Sequence, residues 1–521
     1  MSLFNINNPS RSKSTKILAI GSYSILLIDI IQGLAFVPLY ISFTSERLYG
    51  FWLASGGIIA ILGFLDMGIA TLVVQRISRE YGRKNLVGVG KYFFNGILIS
   101  SFFMMVLLIS GYFFSFNLVK LFTQMTVDEN QIILIAFQLA LLALMFSLLN
   151  NLIEGSLNSL QKPLIPKLTQ FVSSLIGLGT TLYILLEFRS ILAIPAGLLI
   201  RSITSLIPNT IYLIVLFKKN KIQLILYDFH TLKDYLKLTP NLFLSKLGTS
   251  LAGNIEPTLI GIFISAEVTV YYSVTKKAGE LVKMLFDRIA AILYPSLAHM
   301  HSEVKILDYR KFCIKLGKYI FPLALIAFSI YFILNKNFIC LWVGCDNYLG
   351  DLMTFLIGLS LLLSLFSNML SYLLSSTGDI KFSSNLIFIE SILKLVMLLV
   401  LLNFIGIYGL PLAIIIISVF FSTIYIFRWD KHLKTNELEK KLLFQSIFKF
   451  VILFVSTSIF IFFFTKDLLL TSFVHFSFLG LILIIIYHTI LLFSDKLLKQ
   501  LLYNKTSFIK NYARSKIFKK D

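Results

Sequence analysis

IILIAFQLALLALMFSLLNN, residues 132–151, contains no ionisable side chain. As a helix rising 1.5 Å per residue it is about 30 Å long, the thickness of a bilayer's hydrocarbon core. Runs of this kind recur along a chain of 521 residues that is 57% hydrophobic and has a mean hydropathy of +0.84. A soluble protein of this length cannot hide so much apolar surface. Inside lipid the backbone has no water to bond, so the runs must be helices or strands of a closed barrel. Barrel strands alternate polar and apolar residues over about ten positions, and these runs do not. The chain therefore reads as an all-α polytopic membrane protein.

At roughly 17–25 residues per span, about fourteen segments emerge: 17–43, 49–74, 92–114, 132–154, 168–187, 191–217, 241–265, 268–295, 317–335, 351–374, 385–404, 409–428, 447–465 and 471–493. Their connections alternate in charge. Arg76, Arg79, Arg83 and Lys84, then Lys218, Lys219 and Lys221, then Arg310, Lys311 and Lys315 fall on the side of the termini, with Lys434, Lys440, Lys441 and the tail from Lys496 to Lys520. The other side carries Arg47, Lys120, Arg189, Lys336 and Lys466. A tally of roughly 35 basic residues against about 5 places both termini in the cytoplasm and requires an even number of spans. The same placement explains the formal charge of +21 without nucleic acid as a partner.

The expected divisions are a cytoplasmic tail at 1–16, six spans over 17–217, a cytoplasmic loop at 218–240, six more spans over 241–428, a loop at 429–446, two last spans within 447–493, and a basic tail at 494–521. No loop has room for a separate domain, so an attached ATPase is not expected. Gly88-Val89-Gly90-Lys91 lacks both the earlier glycine and the following Ser or Thr of a phosphate loop. No catalytic motif, metal site or cofactor is expected. A cleaved leader is not expected either, because the first apolar segment is too long. Three cysteines make no disulfide framework. Cys340 and Cys345 share an external loop and are close enough in sequence to pair, but free thiols are the expectation.

Ionisable groups within spans cost several kcal/mol and should face protein or a water-filled cavity. Asp29, Asp66, Arg201, Lys246, Glu256, Glu390 and Lys394 are such groups. In YYSVTKKAGELVKMLFDRIAAILYP, residues 271–295, Lys276, Glu280, Lys283 and Asp287 recur at spacings of four, three and four. They form one helical stripe about 16 Å long. Lys277 and Arg288 lie about 100° round from it, and Ala278, Leu281, Leu285 and Ile289 are opposite. Such a helix must line an aqueous cavity, even if Lys276–Glu280, Lys283–Asp287 and Glu390–Lys394 neutralise each other as i,i+4 pairs. Arg201 and Lys246 suit an anionic ligand, and snorkelling to the interface is the competing reading, above all for Lys246 near the cytoplasmic end. The cations Arg201, Lys246, Lys276, Lys277, Lys283, Arg288 and Lys394 are nearly matched by acids, so the cavity should be strongly polar rather than purely positive. Asp29, Asp66 and Glu256 are candidates for binding a coupling H+ or Na+. For Asp29 a packing role competes with this, and for Asp66 packing or capping does.

YGFWLASGGIIAILGFLDMGIATLVVQRISREYGRKN, residues 49–85, resembles the second-span signature of polysaccharide exporters and Wzx-type O-antigen flippases of the multidrug/oligosaccharidyl-lipid/polysaccharide superfamily. The elements are Tyr49-Gly50, Trp52, Leu65-Asp66-Met67-Gly68, Arg76 and Gly82, with LWVG at 341–344, Tyr348 and YYSVTKK at 271–277 further on. The resemblance implies two pseudo-symmetric six-helix lobes plus two C-terminal helices, rocking to expose a central cavity to either side. It implies an inner-membrane flippase for undecaprenyl-pyrophosphate-linked oligosaccharide, an O-antigen or capsule repeat, coupled to a proton or sodium gradient. A polysaccharide polymerase and a chain-length regulator become candidate partners. Two other readings compete: a cation-coupled multidrug or metabolite antiporter of the same superfamily, and a membrane polymerase or glycosyltransferase. The antiporter would prefer an acid-dominated cavity. The enzyme would need a larger external loop than residues 336–350 supply.

Overall fold

The computed structural model describes residues 11–66, 68–223, 228–302 and 306–433, with positions 475, 479, 480, 482 and 483. Among these residues every element is helical. In chain order they are α1 (Arg11–Phe43), α2 (Glu46–Leu62), α3 (Ile69–Gly82), α4 (Leu86–Leu121), α5 (Val127–Ser159), α6 (Leu164–Phe188), α7 (Ala193–Lys219), α8 (Phe229–Phe263), α9 (Ala266–Ser302), α10 (Ile306–Trp342), α11 (Asp351–Ser376), α12 (Ile380–Ile405) and α13 (Gly409–Leu433). Each expected span from the first to the twelfth falls on these helices. The spans at 447–465 and 471–493 lie outside the described residues, apart from the few positions named above. Among the described residues, eight helical stretches are long and apolar enough to cross a bilayer on composition alone. α9 is not among them, because Glu267, Lys276, Lys277, Glu280 and Lys283 interrupt its apolar run. Apolar side chains such as Phe102, Met105, Phe113 and Tyr183 stand exposed, as a lipid-facing surface requires.

Two expectations need correction. The second span is not one helix: a 3-10 turn at Gly63–Asp66 separates α2 from α3, and Gly68 takes a left-handed φ of +73° that other residues adopt only with strain. Cys340 and Cys345 are joined as a disulfide rather than free. α10 stops at Trp342, and the short 3-10 turn Cys345–Asn347 folds back until the two Cα atoms are 4.1 Å apart.

The described chain forms two compact units, one of residues up to 273 with 381–413, the other of 274–380 with residues from 414. In the first, α2 lies on α8 along a seam of small residues. Ala54 faces Gly261, and Thr258 Oγ1 donates to the Ala54 carbonyl at 2.7 Å, while Gly50 faces the carbonyl of Ala266 at the start of α9. A Cβ on Gly57 would sit 2.7 Å from the Asn254 carbonyl. Lipid gives helices no hydrophobic reason to associate, so such close backbone packing supplies the contact. At one end of this unit Arg47 gathers three loops: its Nε donates to Glu129 at 2.9 Å, its Nη1 lies 3.5 Å from Glu267, and its Nη2 donates to the Gln124 carbonyl. Glu129 also completes a capping box with Thr126 at the start of α5. The opposite end holds an apolar cluster of α3, α4, α5, α7 and α8 residues, including Ile69, Val73, Phe93, Leu157, Phe217 and Tyr235.

In the second unit, α9 packs on α10 through Thr275, whose carbonyl accepts from Tyr331 at 2.9 Å and Asn335 at 3.0 Å. Leu297, Tyr309 and Cys313 form a further core with Trp429 beside it.

The start of α8 is pinned to α4. Asp228 caps α8 by accepting the Thr231 N–H at 3.0 Å, pairs with Lys91 at 2.7 Å, and donates its own N–H to Asn95 at 3.0 Å. The Lys91 ammonium and the Thr231 hydroxyl hold the Asp228 carboxyl at about 2, below its ordinary 3.8. Because the folded value is depressed, the stabilisation is complete above the ordinary value and is lost as the pH falls through the folded one. Asp228→Asn should therefore lower the melting temperature of the detergent-solubilised protein at neutral pH. The gap from the wild type should close as the pH drops from 3.8 towards about 2. A gap that stays constant down to the lowest pH measured would contradict this assignment.

Candidate functional site: paired charges and a polar cavity

The break between α2 and α3 brings Asp66 into the helix packing, where it is 5% exposed. Lys246 of α8 donates to its Oδ2, and Phe64 and Phe243 stack edge to face beside the pair with centroids 5.3 Å apart. The second oxygen, Oδ1, has no hydrogen-bond partner among the described residues. Asp66 is thus not a helix cap but half of an ion pair. Lys246, expected as an anion-binding cation, is the other half.

Arg201 of α7 makes the same kind of contact, its Nη1 lying 2.9 Å from Asp29 of α1. It also lines a cavity of about 390 Å³ between α2, α5, α6 and α7, together with Trp52, Asn151, Gln170, Ser173 and Ser205. A hydrogen-bond network backs this cavity. Thr169 donates to Asn209 at 2.7 Å, Asn209 to Asn150 at 2.9 Å, and Asn150 to Ser205 at 3.0 Å. Alongside, Lys167 bridges Glu154 at 2.7 Å and Gln170 at 2.9 Å. The sequence reading missed Glu154 and Lys167 because each stands at the edge of an apolar run, where charge needs no explanation. The adjacent Asn150-Asn151 pair within the predicted span 132–154 was the available signal.

The third acid, Glu256 of α8, is 2% exposed. The Tyr272 hydroxyl donates to it at 2.6 Å, and the Lys394 ammonium of α12 lies 3.8 Å away. Lys394, expected to pair with Glu390 on its own helix, also reaches across to Glu256 on α8. α8 and α12 meet closely here, as Gly248 packs against Ser391.

The stripe of α9 pairs along its own length in the second unit. Lys276 lies 3.2 Å from Glu280, and Lys283 donates to Asp287 at 2.7 Å. Glu280 and Arg288 are exposed, Lys277 is half-buried, and Asp287 Oδ1 has no hydrogen-bond partner among the described residues. Leu285 and Ile289 on the opposite face are exposed, as expected of an amphipathic helix.

A pattern emerges that spacing alone did not show. Each acid proposed to bind a coupling ion is paired with a cation proposed to bind substrate: Asp29 with Arg201, Asp66 with Lys246, and Glu256 with Lys394. Lys277 and Arg288 stand outside these pairs. Removing one member of a pair strands the other in a low-dielectric setting at about 3–5 kcal/mol for full burial, whereas replacing both with apolar residues costs little. With Lys246 partly exposed, Asp66→Asn should destabilise by about 2–3 kcal/mol, and Asp66→Asn with Lys246→Met should recover most of that loss. Thermal unfolding in detergent measures it, and a double variant no better than the single one would contradict the pairing.

The fold is shared with solved transporters. A structure of the lipid II flippase MurJ in an inward closed conformation matches over 91% of this chain and 98% of its own, with a TM-score of 0.63 and 14% identity. An outward-facing multidrug resistance MATE family transporter of the MOP superfamily matches over 85% and 99%, at 0.55 and 15%. An inward-facing one matches over 81% and 99%, at 0.54 and 15%. At these identities the likeness concerns the fold. No curated protein matches the sequence. The model of the polysaccharide biosynthesis protein family matches residues 19–301, more than half the chain and every helix that carries the three crossed pairs except α12. This multi-pass helical membrane protein belongs to the polysaccharide biosynthesis protein family.

Proposed function

We propose that the protein is a flippase that moves a polyprenyl-pyrophosphate-linked oligosaccharide, an O-antigen or capsule repeat unit, from the cytoplasmic to the periplasmic leaflet of the bacterial inner membrane. The observation that carries this reading is the crossed pairing of acids and cations in the first unit. A transporter of an anionic lipid-linked sugar needs cations at membrane depth, and those cations need neutralising when no substrate is bound. When the pyrophosphate takes a cation, the acid left behind gains a strong tendency to accept a positive ion. A proton needs only the carboxylate itself, whereas a metal cation needs several oxygen ligands. Each acid here faces an ammonium or guanidinium, so we assign the proton as coupling ion. Substrate binding and protonation of the acid would then be linked equilibria.

Two features of α10 support the orientation. Arg310, Lys311 and Lys315 lie near its start, and the Cys340–Cys345 disulfide closes its end. Disulfides persist on the oxidising face of a bacterial membrane and basic loops on the cytoplasmic face. Both termini are accordingly assigned to the cytoplasm. A polymerase and a chain-length regulator would receive the flipped product on the periplasmic side. No step in this account forms or breaks a covalent bond, so we assign no enzymatic activity.

Deleting the gene should remove the surface polysaccharide of the producing cell. Arg201→Ala or Lys283→Ala should reduce it at least about tenfold, equivalent to ~1.4 kcal/mol, while the protein still reaches the membrane. Polysaccharide staining and membrane immunoblots read both quantities. Unchanged polysaccharide in the deletion strain would overturn the proposal.

A further inference from the structure

Resting on the flippase reading, we propose that the cavity between α2, α5, α6 and α7 is a subsite for a sugar ring of the transported glycan, not for its pyrophosphate. Three observations lead there. The first is charge. Arg201, the cation on the cavity wall, is neutralised by Asp29 at 2.9 Å, and Lys167 behind the wall is neutralised by Glu154 at 2.7 Å. A pyrophosphate carries several negative charges and needs several cations to offset its lost hydration, and among the described residues the lining of this cavity supplies Arg201 alone.

The second is the supply of hydrogen bonds. Gln170 accepts from Lys167 through its oxygen, and its amide N–H groups have no partner among the described residues. The exposed Asn151 side chain likewise has none there, while Ser205 accepts from Asn150 and keeps its own proton to donate. Arg201 uses Nη1 on Asp29, with further N–H groups remaining. Donors and acceptors are thus interspersed on one wall, matching hydroxyls and acetamido groups, which both donate and accept. The third is Trp52 on α2, which lines the cavity while being 8% exposed. Its position is fixed by the packing of α2 on α8. A sugar has an apolar face of C–H groups that lies flat on an aromatic ring, while its hydroxyl edge takes the polar wall.

The size agrees. About 390 Å³ is at the small end of ligand cavities. It has room for a sugar ring but not for a repeat unit with its lipid. A lipophilic cation would also stack on Trp52, but it would meet the guanidinium of Arg201 and leave the amide donors unused.

Trp52 is its own reporter. The chain has three tryptophans, Trp52, Trp342 and Trp429. A Trp342→Phe/Trp429→Phe variant of the full chain in lipid nanodiscs therefore isolates its fluorescence. The probes are oligosaccharide repeats released by mild hydrolysis of the producing cell's surface polysaccharide, inorganic pyrophosphate, and tetraphenylphosphonium. The oligosaccharide should change Trp52 emission saturably. Asn151→Ala and Gln170→Ala, whose fold is checked by size-exclusion profile, should each weaken that response about threefold to tenfold. Pyrophosphate and tetraphenylphosphonium should leave it unaltered. No saturable response to the oligosaccharide, or an equal response to pyrophosphate or to the cation, would overturn the sugar subsite. Loss of polysaccharide in the deletion strain without any Trp52 response would remove the subsite and leave the flippase reading standing. Unchanged polysaccharide in that strain would remove the flippase reading whatever Trp52 reports.

Discussion

A charge inside a bilayer must find a partner or leave, and the first unit of this protein is arranged around that demand. Asp66 reaches Lys246, Asp29 reaches Arg201, and Glu256 reaches Lys394, each across a helix boundary. Other features follow from it. The helix from residue 46 to 82 has to break at Gly63–Asp66 for the Asp66 carboxylate to sit beside α8. Asp66 and Gly68 at that break are buried, and irregular backbone at membrane depth is tolerated inside protein. α2 has to approach α8 closely, which the seam at Ala54 and Gly57 permits. The motif residues of the 49–85 stretch thereby acquire separate physical tasks. Tyr49 packs on Tyr40, Gly50 admits the Ala266 carbonyl, Trp52 lines the cavity and Arg76 sits over the Tyr92 ring.

Paired charges also suit work that must be reversible. A buried ion pair adds little net stability because the cost of desolvation consumes most of its Coulomb energy. A competing anion therefore need not outbid a strong bond to gain a cation. What it must do is leave the acid tolerable, and protonation does that. The pairs on α9, Lys276–Glu280 and Lys283–Asp287, differ in kind. They lie along one helix surface with half-exposed members, so their bond is weak and readily given up.

Much of the fold was legible in the sequence. Long uncharged runs such as 132–151 admit one reading, and the alternation of basic loops locates their ends. The i,i+4 pairs of α9 were legible for the same reason: helical periodicity is a local property. What escaped were relationships between helices. Nothing in the neighbourhood of Lys394 points to Glu256, which is 138 positions away. The Gly63–Asp66 break was hidden because the apolar run continues through it. Glu154 and Lys167 looked like ordinary loop-edge charges until α5 and α6 were folded together. The Cys340–Cys345 disulfide depended on where α10 stops, and composition does not say.

The central claim is that substrate displaces these acids from their cations and that a proton takes the vacated place. Infrared difference spectroscopy on the protein in proteoliposomes reads carboxyl protonation directly. Adding lipid-linked repeat extracted from the producing cell should generate a protonated-carboxyl C=O band, diminished in Asp66→Asn and in Glu256→Gln. Binding of the lipid-linked repeat with no such band, or with a band that both variants leave at full strength, would contradict the account.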